Sequence, residues 1–285
     1  MTRRQTLRAV MAAMAAAPRV RGFAAAGKRF RPAICAYSFR DQLKAGSFTY
    51  ADLIRMAADL GVDGIDLTTY WLPDTSDETL FALKKLAYRS GVSIYTIGIR
   101  ARMAQPTAQQ QAAEVELVRK WAEVAQKLGA SHMRVFGGSV PKGATEAQTI
   151  AMAVETLKLC AVEAAARGVT LGVEDDGGIT TNAGPTVEIV KKAASPWVGI
   201  NLDVGNFPDN PYGQIEMCAP LATNVHFKSE VHSGGSNQPA DWPRILGILG
   251  AAGYRGYLAL EYEGTVDPMG TVPKLVAKMK DAIAG

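Results

Sequence analysis

The feature that most constrains the fold is a repeated alternation of short apolar runs and longer amphipathic segments from Arg31 onward. The apolar runs predict eight buried strands: Ala33–Phe39, Gly64–Thr68, Ser93–Ile99, His132–Gly137, Thr170–Asp175, Gly199–Asp203, Asn224–Lys228 and Tyr257–Tyr262. The segments after them predict eight helices: Tyr50–Leu60, Asp77–Ser90, Thr107–Leu128, Thr145–Arg167, Thr186–Ala194, Pro211–Leu221, Trp242–Ala251 and Thr271–Ile283. Glycines such as Gly129 and Gly168 follow several of these helices, as expected at a helix end.

Eight strand–helix units of about 30 residues each predict an α/β fold, a (β/α)8 TIM barrel. A doubly wound open sheet is the alternative, but it usually has fewer strands and a glycine-rich loop after the first one. Here the first strand runs into Tyr37-Ser38-Phe39-Arg40-Asp41 instead. The 285 residues are 48% hydrophobic and contain no linker-like tract. We therefore expect a single barrel domain over residues 27–285.

Residues 1–26 have the composition of an export signal. They contain five arginines and no acidic residue, an alanine-rich apolar stretch and a small-residue site at Ala24-x-Ala26. The segment is similar to a twin-arginine signal, although Thr6 replaces the usual aromatic residue. A basic tail or a short amphipathic helix is the alternative. We predict an exported, periplasmic protein without a membrane span.

Charge and cysteine content exclude several classes of protein. The formal net charge is +4, but residues 27–285 carry 26 basic and 27 acidic side chains, a net charge of −1. A groove for nucleic acid is therefore not expected. The three cysteines are far apart and form no CxxC motif, which predicts buried free thiols rather than disulfides or a zinc knuckle.

Four consecutive predicted strands end in a polar residue after an apolar neighbour: Glu174, Asp203, His226 and Glu261. The active site of such a barrel lies at the carboxyl ends of its strands, so these side chains are expected to converge. Three crowded carboxylates would repel one another unless a cation neutralised them. Each residue taken alone could instead be a helix cap, an ion-pair partner or a structural histidine.

The carboxyl-terminal half resembles the xylose-isomerase-like barrel family of sugar isomerases and epimerases, which includes ketose 3-epimerases. The resemblance is carried by LGVEDDGG, INLDVGN, NVHFKSE and GYRGYLALEYEG, and more weakly by AYSFRD and LGVDGIDL. It implies that Glu174, Asp203, His226 and Glu261 bind one catalytic divalent metal. The donor set favours Mn²⁺, with Mg²⁺, Co²⁺ or Zn²⁺ as alternatives.

The resemblance also implies a reaction, namely isomerisation or epimerisation of a sugar through a metal-stabilised enediolate. Glu174 and Glu261 would be the catalytic acid/base pair. A lyase or hydratase acting on a 3-keto-glycoside would need the same site, and a non-catalytic sugar-binding barrel is a further alternative. A branch that repairs abasic DNA uses several histidines, whereas this chain has three.

Further residues are candidates for substrate binding: Lys228, Arg134, Asp176, Asn206, Tyr37, Trp71 and His232. Lys228 could instead pair with Glu230 or Glu263, Arg134 with a metal-binding carboxylate, and the aromatic residues could pack in the core. Many family members have histidine where this chain has Asp176, and several epimerases have it where this chain has Asn206. These departures put a free ketose substrate in doubt. The expected partner is a small carbohydrate, and a homodimer or homotetramer is a further expectation.

Overall fold

A computed structural model describes residues 30–285 of the chain. The predicted export signal, residues 1–26, lies outside the described residues, as do residues 27–29 of the predicted barrel domain.

Ten strands are present in the described residues, and eight of them form a closed parallel barrel. They are β1 (Arg31–Cys35), β2 (Gly64–Thr68), β3 (Ser93–Arg102), β4 (His132–Phe136), β5 (Thr170–Glu174), β6 (Val198–Asp203), β7 (Ala222–Phe227), β8 (Glu230–Ser233), β9 (Ser236–Pro239) and β10 (Tyr257–Leu260). Around the barrel the order is β1, β10, β7, β6, β5, β4, β3, β2, while β8 and β9 pair with each other as an antiparallel hairpin. The predicted TIM barrel is confirmed.

Helices follow the barrel strands along the chain. They are α1 (Arg40–Ala45), α2 (Tyr50–Asp59), α3 (Asp77–Arg89), α4 (Ala108–Leu128), α5 (Glu146–Ala165), α6 (Ala183–Ala193), α7 (Pro211–Cys218), α8 (Trp242–Ala251) and α9 (Pro268–Ala284). Local sequence explains their ends. The side chain of Thr49 caps α2 and that of Thr145 caps α5, each in a reciprocal capping box. Gly129 ends α4 with φ +87°, a conformation that glycine adopts without steric cost.

The predicted strands and helices are found, with differences at their ends. The clearest error is β1, which ends at Cys35, whereas a strand to Phe39 was predicted. Residues Ala36–Phe39 form a 3-10 turn that leads into the unpredicted α1. Ser38 joins this turn to the end of the neighbouring strand β10, because its hydroxyl donates to Leu260 O and accepts from Tyr262 N. The hairpin of β8 and β9 was also not predicted.

The barrel strands separate apolar from polar side chains by alternation. Val173, Leu202, Val225 and Leu260 belong to the large apolar cluster that the helices cover. Their neighbours Glu174, Asp203, His226 and Glu261 are buried polar residues. Because successive side chains point to opposite faces, the interior of this barrel is polar near the carboxyl ends of its strands.

The cysteines agree with their prediction: Cys35, Cys160 and Cys218 are buried and unpaired. Among the described helices, none is long and apolar enough to cross a membrane.

Candidate metal centre

Three carboxylates converge on one nitrogen of His226 at the carboxyl end of the barrel. Nδ1 of His226 lies 2.7 Å from Glu174 Oε1, 3.1 Å from Glu261 Oε2 and 3.7 Å from Asp203 Oδ2. Asp203 and His226 are direct neighbours across β6 and β7, and Glu261 follows the last residue of β10. The strand ends thus bring together all four residues that the sequence singled out.

The opposite nitrogen of His226 is held by Asp66, a residue that the sequence analysis missed. Nε2 of His226 lies 2.9 Å from Asp66 Oδ2, and both side chains are buried. Burial by itself lowers the pKa of His226, but Glu261 and Glu174 outweigh it and raise the pKa well above its ordinary value, so both ring nitrogens carry a proton in the metal-free protein. The carboxylate of Asp66 keeps the proton on Nε2, so a divalent cation would replace the proton on Nδ1 and bind there. The signal was present in LGVDGIDL, where Asp66 is an acidic residue inside an otherwise apolar strand.

Two asparagines extend this arrangement into the barrel. Asn201 donates to Glu174 Oε1 at 3.0 Å, and Asn224 donates to Asp66 Oδ2 at 2.9 Å and to Asn201 Oδ1 at 2.8 Å. Asn201 precedes Asp203 by two positions and Asn224 precedes His226 by two, so each shares the inward face of its strand. This period of two could have identified both. The network fixes the carboxylates of Glu174 and Asp66 in place.

Two buried cations balance the acidic cluster. Nζ of Lys228 lies 3.0 Å from Glu261 Oε2 and 3.2 Å from Asp203 Oδ2, and it also contacts Glu263. Burial by itself lowers the pKa of Lys228, but these carboxylates outweigh burial and hold it well above its ordinary value. Pairing with Glu263 was one of the alternatives for this lysine, and the structure shows that contact together with the contacts to Asp203 and Glu261.

Arg134 neutralises the opposite side of the cluster. Its Nε lies 3.2 Å from Glu174 Oε2, and its NH1 donates to Tyr70 Oη and to Ile99 O. Burial by itself lowers the pKa of Arg134, but Glu174 and Tyr70 outweigh it, so the pKa is raised and the guanidinium stays charged. Gly98 makes room for this side chain, because a Cβ there would lie 2.8 Å from Arg134 NH2.

The carboxylates differ in how readily they take up a proton. Burial by itself raises the pKa of Glu261, but His226 and Lys228 outweigh it and hold the pKa well below its ordinary value. Burial raises the pKa of Asp203, a shift that Lys228 and His226 only partly offset. Burial and Asp203 together raise the pKa of Asp175 well above its ordinary value. Asp175, also missed by the sequence analysis, accepts a hydrogen bond from Asp203 N at 2.8 Å and so positions that strand end.

A chamber of about 260 Å³ opens above the cluster, slightly smaller than the ~300–1,000 Å³ typical of sites for drug-sized ligands. Of the candidate substrate-binding residues, it is lined by Lys228, Arg134, Asp176, Asn206 and Tyr37. This size suits a small molecule such as a single sugar ring.

The two remaining candidates lie elsewhere. Trp71 packs behind the wall of the chamber, with its ring centroid 6.0 Å from that of Tyr37 and 5.6 Å from that of Tyr70. His232 lies on the β8–β9 hairpin, where its Nδ1 is 3.2 Å from Asn237 Oδ1. Neither side chain is part of the chamber lining.

The donor set of this cluster fits a divalent cation. Glu174, Asp203 and His226 each offer one ligand atom within 4.8 Å of the others, and Glu261 reaches the same histidine nitrogen. Three carboxylates and one imidazole form a mostly oxygen-donor site, which suits Mn²⁺, Mg²⁺ or Co²⁺.

A second group, formed by Cys35, Asp66 and His226, fits a metal ion less well. Burial and Glu261 raise the pKa of the Cys35 thiol well above its ordinary value, and a protonated thiol is a poor ligand.

Sequence comparison assigns the chain to a family. The family model described as xylose isomerase-like TIM barrel matches residues 54–282, which is most of the chain. The chain belongs to the xylose isomerase-like TIM barrel family. The resemblance noted in the sequence is thereby confirmed. No curated protein matches the chain in sequence.

Solved structures of similar fold include enzymes that differ in the reaction that they catalyse. The 3-keto-D-glucoside 4-epimerase YcjR from E. coli superposes with a TM-score of 0.71 at 14% identity, over 89% of this chain and 100% of that one. The probable 3-DHS dehydratase AsbF from Bacillus anthracis gives 0.70 at 15% identity, over 90% and 99%.

The IOLI protein, solved with a zinc atom, gives a TM-score of 0.74 at 15% identity, over 89% of this chain and 96% of that one. At such identities these likenesses show the shared barrel fold. The reaction of this chain has to be argued from its own site.

Proposed function

We propose that the protein is a divalent-metal-dependent sugar isomerase or epimerase. The observation that carries this proposal is the convergence of Glu174, Asp203 and Glu261 on Nδ1 of His226 at the base of a sugar-sized chamber. A divalent cation held by these four residues would polarise a substrate carbonyl and stabilise the negative charge that develops on it. Mn²⁺ is the proposed ion, with Mg²⁺, Co²⁺ or Zn²⁺ as alternatives.

The residues of the chain supply the proton chemistry. Glu261, which lies 3.0 Å from the ammonium of Lys228, would accept the proton bound to the carbon next to the carbonyl. Glu174, fixed by Asn201 and Arg134, takes up a proton from solvent and passes it to the substrate carbon, while Glu261 releases its proton to solvent. The ammonium of Lys228 reaches into the chamber and can bind a substrate oxygen. Asp203 and His226 act as ligands.

Solvent-deuterium exchange tests this proposal. The Mn²⁺-loaded protein is incubated in D₂O with a panel of keto-sugars and oxidised glycosides, and NMR follows deuterium entry at carbon. We expect exchange with at least one compound, and about 10²- to 10⁴-fold slower exchange in Glu261→Gln. Glu216→Gln, an exposed change on α7, is the matched control and should leave the rate unchanged. No exchange with any compound, or equal rates in the three proteins, would contradict the proposal.

A lyase acting on a 3-keto-glycoside is the second candidate. It is favoured by a second cavity of about 430 Å³ beside the chamber, which shares Asn206, Lys228, Glu261 and Glu263 with it and extends to the β8–β9 hairpin. This cavity offers room for the aglycone of a glycoside. In such a reaction the C–H electrons form a carbon–carbon double bond, the glycosidic C–O bond breaks, and the aglycone leaves with a proton.

A single NMR experiment with a 3-keto-glucoside separates the two candidates. Released aglycone would identify the lyase. Deuterium at one carbon, with the glycosidic bond intact, would identify the epimerase.

The site of action is also proposed to be the periplasm, supported by the composition of residues 1–26. Fractionation of cells that produce the full chain tests this. We expect a periplasmic protein, and its retention in the cytoplasm when Arg3 and Arg4 are both changed to lysine. Periplasmic recovery of that variant would contradict twin-arginine export.

A further inference from the structure

A pair of exposed arginines stands on the rim of the chamber. Arg100 and Arg102 lie near the end of β3 and line the chamber together with the metal-centre residues. They are two positions apart, at the place where the pairing of β3 with β4 shifts register, and both side chains reach the chamber. Within residues 30–285, neither forms an ion pair with an aspartate or glutamate, whereas Arg134 and Lys228 do.

One of these arginines is held in a defined position. The guanidinium of Arg100 lies over the ring of Tyr70, with Cζ 3.9 Å from the ring centroid, close enough for a cation–π interaction. The hydroxyl of Tyr70 accepts a hydrogen bond from Arg134 at 2.9 Å, and Arg134 contacts Glu174. A continuous chain of contacts, Arg100–Tyr70–Arg134–Glu174, therefore links the rim to the proposed metal centre. Such a guanidinium is pre-organised for an anion, since less side-chain freedom is lost on binding.

The charge of the chamber indicates which anion it suits. Four cationic and five anionic side chains line it, a net charge of −1. The choice of anion rests on the proposed function, because the divalent ion changes the net charge of the chamber from −1 to +1. A carboxylate would neutralise this charge, whereas a phosphate dianion would reverse it.

We propose that Arg100 and Arg102 bind a carboxylate of the substrate, so that the protein acts on a sugar acid rather than a neutral sugar. A guanidinium offers a planar pair of N–H donors that matches the two oxygens of a carboxylate. The substrate then lies with its carboxylate on the rim at β3 and its carbonyl towards Glu174 and Glu261. The acid group selects the substrate, and the cluster carries the proton chemistry.

Binding to sugars that differ only at C6 tests this inference. The probes are D-glucuronate, D-galacturonate and D-mannuronate, each beside its neutral hexose, and glucose 6-phosphate as the phosphate arm. Affinities for the Mn²⁺-loaded protein are measured by calorimetry. We expect at least one acid to bind about ten-fold or more tightly than its neutral partner, as a charge-assisted hydrogen bond provides.

Variants show whether this preference comes from the two arginines. Arg100→Gln and Arg102→Gln should each remove most of the preference, while Arg100→Lys, which keeps the charge, should retain part of it. Arg244→Gln is the matched control. This arginine is also exposed and lies over a tyrosine, with Cζ 4.1 Å from the ring of Tyr212, but it is outside the chamber. It should leave all affinities unchanged.

Three outcomes would overturn the inference. In the first, no acid binds more tightly than its neutral partner, and in the second, the preference for the acid survives in both glutamine variants. In the third, the affinity of glucose 6-phosphate relative to glucose exceeds the affinity of every uronate relative to its neutral hexose. The inference can fail while deuterium exchange with neutral keto-sugars still supports the proposed function. The reverse outcome, tight carboxylate binding without exchange on any substrate, would contradict the proposed function instead.

Discussion

Replacing Asp66 by asparagine should weaken metal binding although Asp66 is not itself one of the proposed ligands. Its Oδ2 lies 2.9 Å from Nε2 of His226 and 2.9 Å from Nδ2 of Asn224, in a buried position. Asparagine has nearly the same shape and can still accept from Nε2, so the geometry is kept while the negative charge is lost. The carboxylate makes His226 a stronger donor to a cation at Nδ1, and the amide does this less well.

The size of the effect follows from the contact that is changed. A hydrogen bond to a charged group contributes about 1.5–3 kcal/mol, and a neutral one about 0.5–1.5 kcal/mol. The difference is roughly 1–1.5 kcal/mol, or about a ten-fold increase in the dissociation constant for the metal. Asp66→Ala leaves Nε2 of His226 and the amide of Asn224 without their acceptor, and the loss should approach 100-fold.

Titration calorimetry of Mn²⁺ into metal-free protein measures these constants, with a competing chelator if binding is tight. Asp63→Asn is the matched control, because Asp63 is exposed and directly precedes Gly64, the first residue of β2. It should bind Mn²⁺ as the wild type does. Binding of Mn²⁺ by Asp66→Asn within two-fold of the wild-type constant, or an equal loss of affinity in Asp66→Asn and Asp63→Asn, would refute this role of Asp66.

Two further predictions concern buried charges. Lys228→Met removes the cation beside Asp203 and Glu261, so the metal-free protein should lose about 3–5 kcal/mol of unfolding free energy. Urea denaturation with and without Mn²⁺ should show that the ion restores much of this free energy. An equal loss in both conditions would be inconsistent with charge balance. The second prediction concerns His132, whose pKa burial lowers from 6.5 to about 4. The unfolded chain therefore binds the extra proton first, and stability should fall by roughly 3 kcal/mol as the pH drops from 6.5 to 4. Urea denaturation across this range should show a shallower loss in His132→Gln, and an unchanged slope would exclude His132 as the cause.

The fold was predictable because its signal is periodic and local. Each βα unit repeats the same pattern of apolar strand and amphipathic helix, and eight units leave few alternatives. The ends of the units were less predictable, because tertiary contacts set them. The 3-10 turn after β1 depends on the contacts of Ser38 with Leu260 and Tyr262, more than 200 residues away.

The proposed metal ligands could be identified from sequence because all four occupy equivalent places, the end of a strand followed by a loop. The residues that orient them lie deeper in the barrel, where the period of two places Asn201 and Asn224 on the inward face but does not show which side chain each one contacts. Asp66 contacts His226 across 160 residues of sequence, a contact that only barrel closure creates. The partners of Lys228 and Arg134 were left as alternatives, because the sequence places these side chains near the site without fixing which carboxylate each one meets.

We propose that one divalent ion is held by Glu174, Asp203, His226 and Glu261, and metal stoichiometry tests this site most directly. The protein is stripped with a chelator, reconstituted with Mn²⁺, freed of unbound ion and analysed by mass spectrometry of the metal. His226→Ala is compared with His232→Ala, which removes a histidine of the β8–β9 hairpin outside the chamber lining. We predict about one ion per chain in the wild type and in His232→Ala, and almost none in a folded His226→Ala. A wild-type protein that is folded but binds no stoichiometric metal, or a His226→Ala variant that retains it, would contradict the claim.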